Sequence, residues 1–317
     1  MDSAAPILAL DFGGTKHAAA TLMPGETQWQ AYQRGVAPAN ANRQVDLDIM
    51  QSLIQTVLNG TKPAAIGVSF GGPVDFKTGT VRLSHHVPGW ENFPLQQWLE
   101  TTFGVLARVD NDANVAALGE HQFGAGQGLA DLLYVTISTG VGGGWILNGK
   151  LWRGFEGMAG EIGHMVVDPQ GPQCLCGKRG CVERLASGLY IAQQAKAALR
   201  QHPLRGQILR SLVRSIDQVT AVEVSQAAAQ ADELAQEILQ QAAWALGVGL
   251  GNAANLINPE RFILGGGVTK SGEFFWQKVC QTARETALPE ISVEIVPAAL
   301  GDDAPLWGAV ALVKSEI

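Results

Sequence analysis

The chain has 317 residues, 46% hydrophobic and 16% charged, long enough for two domains or one large one with ample core. A formal net charge of −7 without a basic stripe argues against nucleic acid as a partner. No apolar run approaches the ~18 residues of a membrane span, and residues 1–10 lack the basic flank of a leader, so a cytoplasmic protein without a membrane partner is expected.

Thirty-eight glycines, many in clusters, suggest tight turns or close backbone approach to a ligand. Residues 7–10 form a short apolar run that predicts a buried strand, ending in Asp11-Phe12-Gly13-Gly14-Thr15-Lys16. Residues 17–22 are apolar enough to be the returning strand, which puts the glycines at a hairpin turn. Bare N–H groups and a hydroxyl suit a phosphate there, and Asp11 could hold Mg²⁺ through water. An ordinary hairpin fits the same residues, and neither P-loop spacing nor GxGxxG occurs.

Apolar residues at helical spacing predict a helix over 45–58, stopped by Asn59-Gly60. A strand over 64–68 leads into Gly71-Gly72-Pro73, either a plain turn or a place where backbone meets ligand. A helix is expected around 96–101 and a strand over 105–109. Asp110-Asn111-Asp112-Ala113-Asn114 then precedes a helical run at 115–120. An acid between strand and helix is either a cap or the carboxylate of an open α/β active site.

A strand over 132–137 enters Ser138-Thr139-Gly140-Val141-Gly142-Gly143-Gly144, then Trp145-Ile146-Leu147. This second strand–glycine turn–strand unit follows the first by about 125 residues and suggests duplication, with a phosphate-binding hairpin in each half. Next come three of the four cysteines, Cys174, Cys176 and Cys181, with His164 ten residues before them. That donor set and spacing read as a tetrahedral Cys₃His zinc site, and a reducing compartment favours metal over disulfide. Four protein ligands leave no open position for a catalytic water. Glu161 and Glu183 flank the cluster without being needed as ligands.

Further on, a helix is expected over 189–200, and Thr220 with Glu223 reads as a capping box opening a long helical region at 222–257. Gly247, Gly249 and Gly251 within it indicate close helix packing. A strand over 261–264 runs into a third glycine turn, Gly265-Gly266-Gly267. One more strand over 293–296 and a C-terminal helix after Asp302-Asp303 complete the chain, and Cys280 reads as a packed thiol.

Together these motifs resemble the ROK family of sugar kinases, from about Ile7 to Val313. The resemblance is carried by Asp11 to Lys16, Gly71-Gly72-Pro73-Val74, Asn111-Asp112-Ala113-Asn114 and Ser138 to Gly144. Glu161-x-Gly-His164, the cysteine run closed by Glu183, and Leu264-Gly-Gly-Gly-Val268 complete it. It implies an α/β two-domain actin-like ATPase (ribonuclease H-like) fold of the hexokinase/Hsp70/actin superfamily. The domains would be 1–115 with 303–317, and 116–302 with the zinc loop.

It further implies ATP-dependent phosphorylation of a hexose, with Asp112 as the general base. Gly72, Asn92, Asn111, Asp112, Glu161, His164 and Glu183 would contact sugar. Asp11, Gly13, Gly14, Thr15 and Lys16, then Thr139 and Gly140, and Gly265 to Gly267, would hold ATP with Mg²⁺. His164, Cys174, Cys176 and Cys181 match structural zinc ligands. The segments Gly89 to Leu95 and Glu183 to Gly188 look most like the glucokinase branch, a glycolytic role. The stretch Leu83-Ser84-His85-His86-Val87 lacks the Asn expected of a typical glucokinase, which keeps N-acetylmannosamine and N-acetylglucosamine, then fructose, in view. A regulator is disfavoured because the first turn starts at Asp11, and a homodimer or homotetramer is implied.

Overall fold

The computed structural model describes residues 5–84 and 87–314; His85 and His86, within the stretch that departs from the glucokinase pattern, lie outside them. Strand β1 (Ile7–Phe12) turns into β2 (Lys16–Leu22), and β2 pairs with β3 (Ala31–Val36), each pair antiparallel. The sequence pattern does not show β3, because AYQRGV lies at the sheet edge and is half-exposed throughout. Helix α1 (Arg43–Leu58) starts where the Asn42 side chain accepts the Val45 N–H and ends at Asn59 in the left-handed conformation.

Strand β4 (Ala65–Phe70) runs parallel to β1 and is buried along its whole length. A two-residue ribbon, β5 (Val74–Asp75) and β6 (Thr80–Val81), precedes α2 (Leu95–Phe103) and β7 (Leu106–Asn111). Helix α3 (Asp112–Phe123) follows β7 without a loop. The first sheet has the order β3-β2-β1-β4-β7. Leu47, Met50 and Ile54 of α1 join Leu95, Leu99 and Trp90 in a core with Leu8, Leu10 and Phe70 of the sheet.

The second sheet repeats that order with β8 (Leu132–Ile137), β9 (Val141–Leu147), β10 (Lys150–Trp152), β11 (Arg261–Gly265) and β12 (Ile295–Pro297), arranged β10-β9-β8-β11-β12. The expected duplication is therefore present in topology. Its glycines are placed differently: only Gly140 lies in the turn, and Gly142 to Gly144 are inside β9. A Cβ on Gly143 would meet the Gly160 carbonyl at 2.7 Å, and one on Gly144 the Ala113 carbonyl at 2.5 Å. Close backbone packing, not a phosphate, accounts for those two.

Between β10 and β11 lie α4 (Val182–Ala186), α5 (Gly188–Gln201), α6 (Gln207–Ser211), α7 (Ala221–Ala229) and α8 (Glu233–Ile257). The predicted helical region over 222–257 is thus two helices. Ala231 takes a left-handed φ of 66°, and Asp232 caps α8 by accepting the Ala235 N–H. The capping box of Thr220 and Glu223 forms as expected. Helix α9 (Glu273–Thr286) packs on α8 through Gly247 and Gly251, where a Cβ would meet Val279 and Ala283 carbonyls at 2.8 and 2.7 Å. Cys280 on α9 is only half-buried, not a core thiol.

Helix α10 (Ala304–Lys314) closes the first sheet: a Cβ at Gly67 of β4 would come 1.8 Å from the Ala309 carbonyl. Two compact units result, Met1–Leu129 with Gly144–Ala159 and Ala299–Ile317, and Ala130–Gly143 with Gly160–Ala298. The division expected at 115/116 and 302/303 would cut α3 in two. Buried Glu120 shows why α3 belongs wholly to the first unit, since it accepts N–H bonds from Ala299 and Leu300 at 3.1 and 2.8 Å. No helix among the described residues is long and apolar enough to cross a membrane.

Candidate active site

In the first unit, Asp11 is the last residue but one of β1, and the Ser69 hydroxyl donates to its Oδ1 at 2.8 Å. Burial pushes the Asp11 carboxyl up to about 6; the Ser69 bond opposes the rise, and the nearby Asp112 carboxylate adds to it. The two acids named from sequence are therefore within each other's field. The turn between β1 and β2 is closed by the Gly13 N–H on the Lys16 carbonyl at 3.0 Å. A Cβ on Gly13 would lie 2.7 Å from that same oxygen, so glycine is required there. Gly14 is half-buried, while Thr15 and Lys16 are exposed and open to a ligand.

Asn111 is the N-cap of α3, and Asp112 is the first helical residue. The Asn111 amide holds three things at once. Its oxygen accepts the Ala113 N–H at 3.0 Å, and its nitrogen donates to the Gly72 carbonyl at 3.1 Å and to Asp112 Oδ1 at 2.9 Å. The cap is thus Asn111, and Asp112 is a carboxylate held in place beside it. A carboxylate at a helix N-terminus is held by the local N–H groups, here the Ala113 amide at 2.8 Å. Gly72 must be glycine because a Cβ would meet the Leu83 carbonyl at 2.7 Å. Asn92 is exposed, with a left-handed φ of 55° that Asn tolerates better than most residues.

Two supporting residues escape sequence reasoning. Ser69 looks like an ordinary strand residue until the parallel pairing of β1 and β4 sets it opposite Asp11. Asp110 is buried and bonded to Arg153 Nε at 2.6 Å, which ties the end of β7 to the segment after β10. Only the Asp-Asn-Asp clustering hinted at it.

In the second unit, the turn Ser138-Thr139-Gly140 is held from two sides. Ser138 N–H donates to the Gly140 carbonyl at 2.9 Å, and Gly188 N–H, at the start of α5, to the Ser138 carbonyl at 2.7 Å. Thr139 is exposed. Glu183 on α4 accepts the Val141 N–H at 3.0 Å, so one of its oxygens fixes this turn. Glu161 precedes a single 3₁₀ turn, Ile162–His164, and its carboxylate lies 3.9 Å from His164 Nε2. A Cβ on Gly163 would sit 2.1 Å from the Val141 carbonyl, so this turn packs directly on the start of β9.

His164, Cys174, Cys176 and Cys181 converge, with one donor atom from each lying within 4.8 Å of the others. Tetrahedral zinc with Zn–S near 2.3 Å needs sulfurs about 3.8 Å apart, and Cys176 and Cys181 are already at 3.6 Å. His164 Nδ1 is buried without a hydrogen-bond partner among the described residues, an orphan that a metal would satisfy. The residues fit zinc. Burial pushes the Cys181 thiol up to about 12, while the Lys178 backbone N–H draws Cys176 below its ordinary range.

The third glycine turn separates into two kinds of position. A Cβ on Gly265 would meet Tyr134 Oη at 2.4 Å, and Gly266 has φ 90° with the Ile137 carbonyl 2.3 Å from a Cβ. Gly267 is exposed with nothing within 4 Å of a Cβ, so the protein itself does not demand glycine there.

Two five-stranded sheets of the same strand order, each with a tight turn after its first strand, define a two-domain actin-like ATPase fold. Residues 7–316 match the ROK family, and the chain belongs to it. A glucokinase from Halalkalibacterium halodurans is 39% identical over 261 residues, 81% of this chain and 78% of that enzyme. A ROK family glucokinase from Streptomyces griseus, solved with glucose and AMPPNP, has a TM-score of 0.85 at 33% identity, covering 98% of this chain and 99% of that one. An N-acetylmannosamine kinase from Escherichia coli is 31% identical over 98% of this chain and 99% of its own length.

Proposed function

We infer that the chain is an ATP-dependent sugar kinase, and we propose that it transfers the γ-phosphoryl group of ATP to the 6-hydroxyl of glucose. The observation that carries the reading is the oriented Asp112 carboxylate at the start of α3, with Asp11 near the end of β1 beside a glycine turn with exposed Thr15 and Lys16. A sugar hydroxyl is a weak nucleophile, and a positioned carboxylate accepts its proton as the bond to phosphorus forms. Asp112 takes that role, aimed by the Asn111 amide and the Ala113 N–H. Phosphoryl transfer otherwise needs positioning and charge neutralisation. The N–H groups of the turns at Gly13 to Lys16 and Thr139-Gly140 supply them for the phosphates, and Gly265 to Gly267 receives the adenosine. Mg²⁺, held through water by Asp11, would neutralise phosphate charge when bound.

For the sugar, Gly72, Asn92, Asn111, Glu161, His164 and Glu183 are the proposed contacts. His164, Cys174, Cys176 and Cys181 would hold zinc as a structural clamp that fixes the His164 loop. Similarity to two glucokinases favours glucose, as do Trp90, Asn92 and Leu95 in the segment Gly89 to Leu95. The N-acetylmannosamine kinase relative, with the missing Asn at 83–87, supports that amino sugar as the second reading.

The test is coupled ADP release with glucose, mannose, fructose, N-acetylglucosamine and N-acetylmannosamine. The highest kcat/KM is expected for glucose. A maximum at N-acetylmannosamine selects the second reading, and no turnover with any sugar sinks the kinase reading.

A further inference from the structure

Three buried groups that the chemistry leaves unused lie between the phosphate turn and the Trp90 loop of the first unit. His17, Asp46 and Trp90 are 1%, 2% and 1% exposed. Asp46, in the first turn of α1, serves both others with one carboxylate. Oδ1 is 2.9 Å from His17 Nε2, and Oδ2 accepts from Trp90 Nε1 at 3.0 Å. His17 Nδ1 is buried with no hydrogen-bond partner among the described residues, and because a carboxylate accepts, Nε2 is the nitrogen that donates in the bond to Asp46.

The two ends of this trio are the informative part. His17 follows Lys16 directly, and Trp90 stands two residues before Asn92. The first turn of α1 holds the same loop by other means: Arg43 N–H donates to the Pro88 carbonyl at 3.0 Å and its guanidinium to the Gly89 carbonyl at 2.6 Å. The guanidinium also lies 4.6 Å from the Phe93 ring centre. Phe12, next to Asp11, has its ring 5.6 Å from both His17 and Trp90. An apolar trio would fill this volume without the desolvation of a carboxylate, so the directional bonds are explained by the geometry they impose.

We propose that His17, Asp46 and Trp90 are positioning residues that couple the phosphate turn at Gly13 to Lys16 to the loop carrying Asn92. The roles of those two segments rest on the sugar-kinase reading; the coupling itself does not. The trio touches no substrate and sets where Lys16 and Asn92 stand.

The test compares Trp90→Phe, which removes the indole N–H and keeps an aromatic ring, and Asp46→Asn, which can accept only one of the two N–H bonds. Leu99→Ala, buried in the same core on α2, is the control for simple loss of packing. Hydrogen exchange on the ligand-free protein requires no catalysis. Faster exchange is expected in both 13–16 and 89–93 for Trp90→Phe, and in neither for Leu99→Ala. Kinetically, the hexose KM should rise about 5- to 20-fold with kcat within about twofold, while Leu99→Ala keeps the wild-type KM despite a lower Tm. Exchange changes confined to α1, or KM values in the trio variants matching Leu99→Ala, would overturn the proposal. Wild-type turnover, measured first, tests the kinase reading separately, and the exchange experiment decides the coupling either way.

Discussion

The two sheets share a strand order but not a chemistry. The first carries an acid one residue before the end of two strands, Asp11 on β1 and Asp110 on β7, with Asp112 opening the next helix. At the matching positions the second has Thr136 on β8 and Ala298 just after β12. What it gains lies between β10 and β11, where the first sheet has only α1 between the equivalent strands. There the second inserts the cysteine loop and five helices. Repeated topology thus provides two glycine-bearing turns, while the proposed general base Asp112 and the proposed zinc clamp fall in different halves.

The strongest break of that comparison is Asp112→Asn, which keeps the side-chain shape and removes the proposed base. Turnover should fall by about 10²- to 10⁴-fold, with circular dichroism and Tm close to wild type. Near-normal kcat would remove Asp112 from the mechanism. In the other half, Cys176→Ser should lose zinc by elemental analysis and raise the hexose KM about tenfold or more, in the range seen when shells supporting a metal are cut. Zinc loss with an unchanged KM would separate the clamp from the sugar site.

A smaller effect distinguishes ligand-facing from fold-required glycine. Gly267→Ala should leave Tm unchanged, since a Cβ there meets nothing within 4 Å, and raise the ATP KM severalfold. Gly266→Ala should instead destabilise the protein, because φ is 90° and the Ile137 carbonyl is in the way. Equal effects of the two on Tm would contradict the assignment.

The smallest expected change concerns Asp11. Its carboxyl is raised to about 6 in the folded chain, so between roughly pH 4 and 6 the folded state holds more proton than the unfolded one. Stability therefore falls as pH rises through that window. Asp11→Asn abolishes the loss and should stabilise the Mg²⁺-free, nucleotide-free protein by roughly 1–3 kcal/mol at pH 7, less for the solvent reaching this strand end, and by nothing near pH 4. Urea unfolding at the two pH values measures it; no gain at pH 7 would contradict the cause assigned.

Much of this was legible from residues alone because the signals are local. Gly13-Gly14 between two apolar runs, Asn59-Gly60 after a helical stripe, and three cysteines with His164 each describe their own structure. Elements lacking a local signal were hidden: edge strands β3 and β10, the ribbon β5–β6, and short α6 carry few apolar residues or too few residues for periodicity. Composition also misled where distant backbone set the outcome. Gly143 and Gly144 look like a phosphate turn but are glycine because the Gly160 and Ala113 carbonyls approach them. Glu183, read as a sugar contact, also fixes the Val141 N–H, a bond that only the fold of the cysteine loop reveals.

The most direct test is to identify the product. Wild-type protein incubated with glucose, ATP and Mg²⁺ and followed by ³¹P NMR should convert the γ-phosphate into a phosphomonoester at the sugar 6-position, and Asp112→Asn should not. Inorganic phosphate as the only new signal, or no change in the spectrum, would contradict the account.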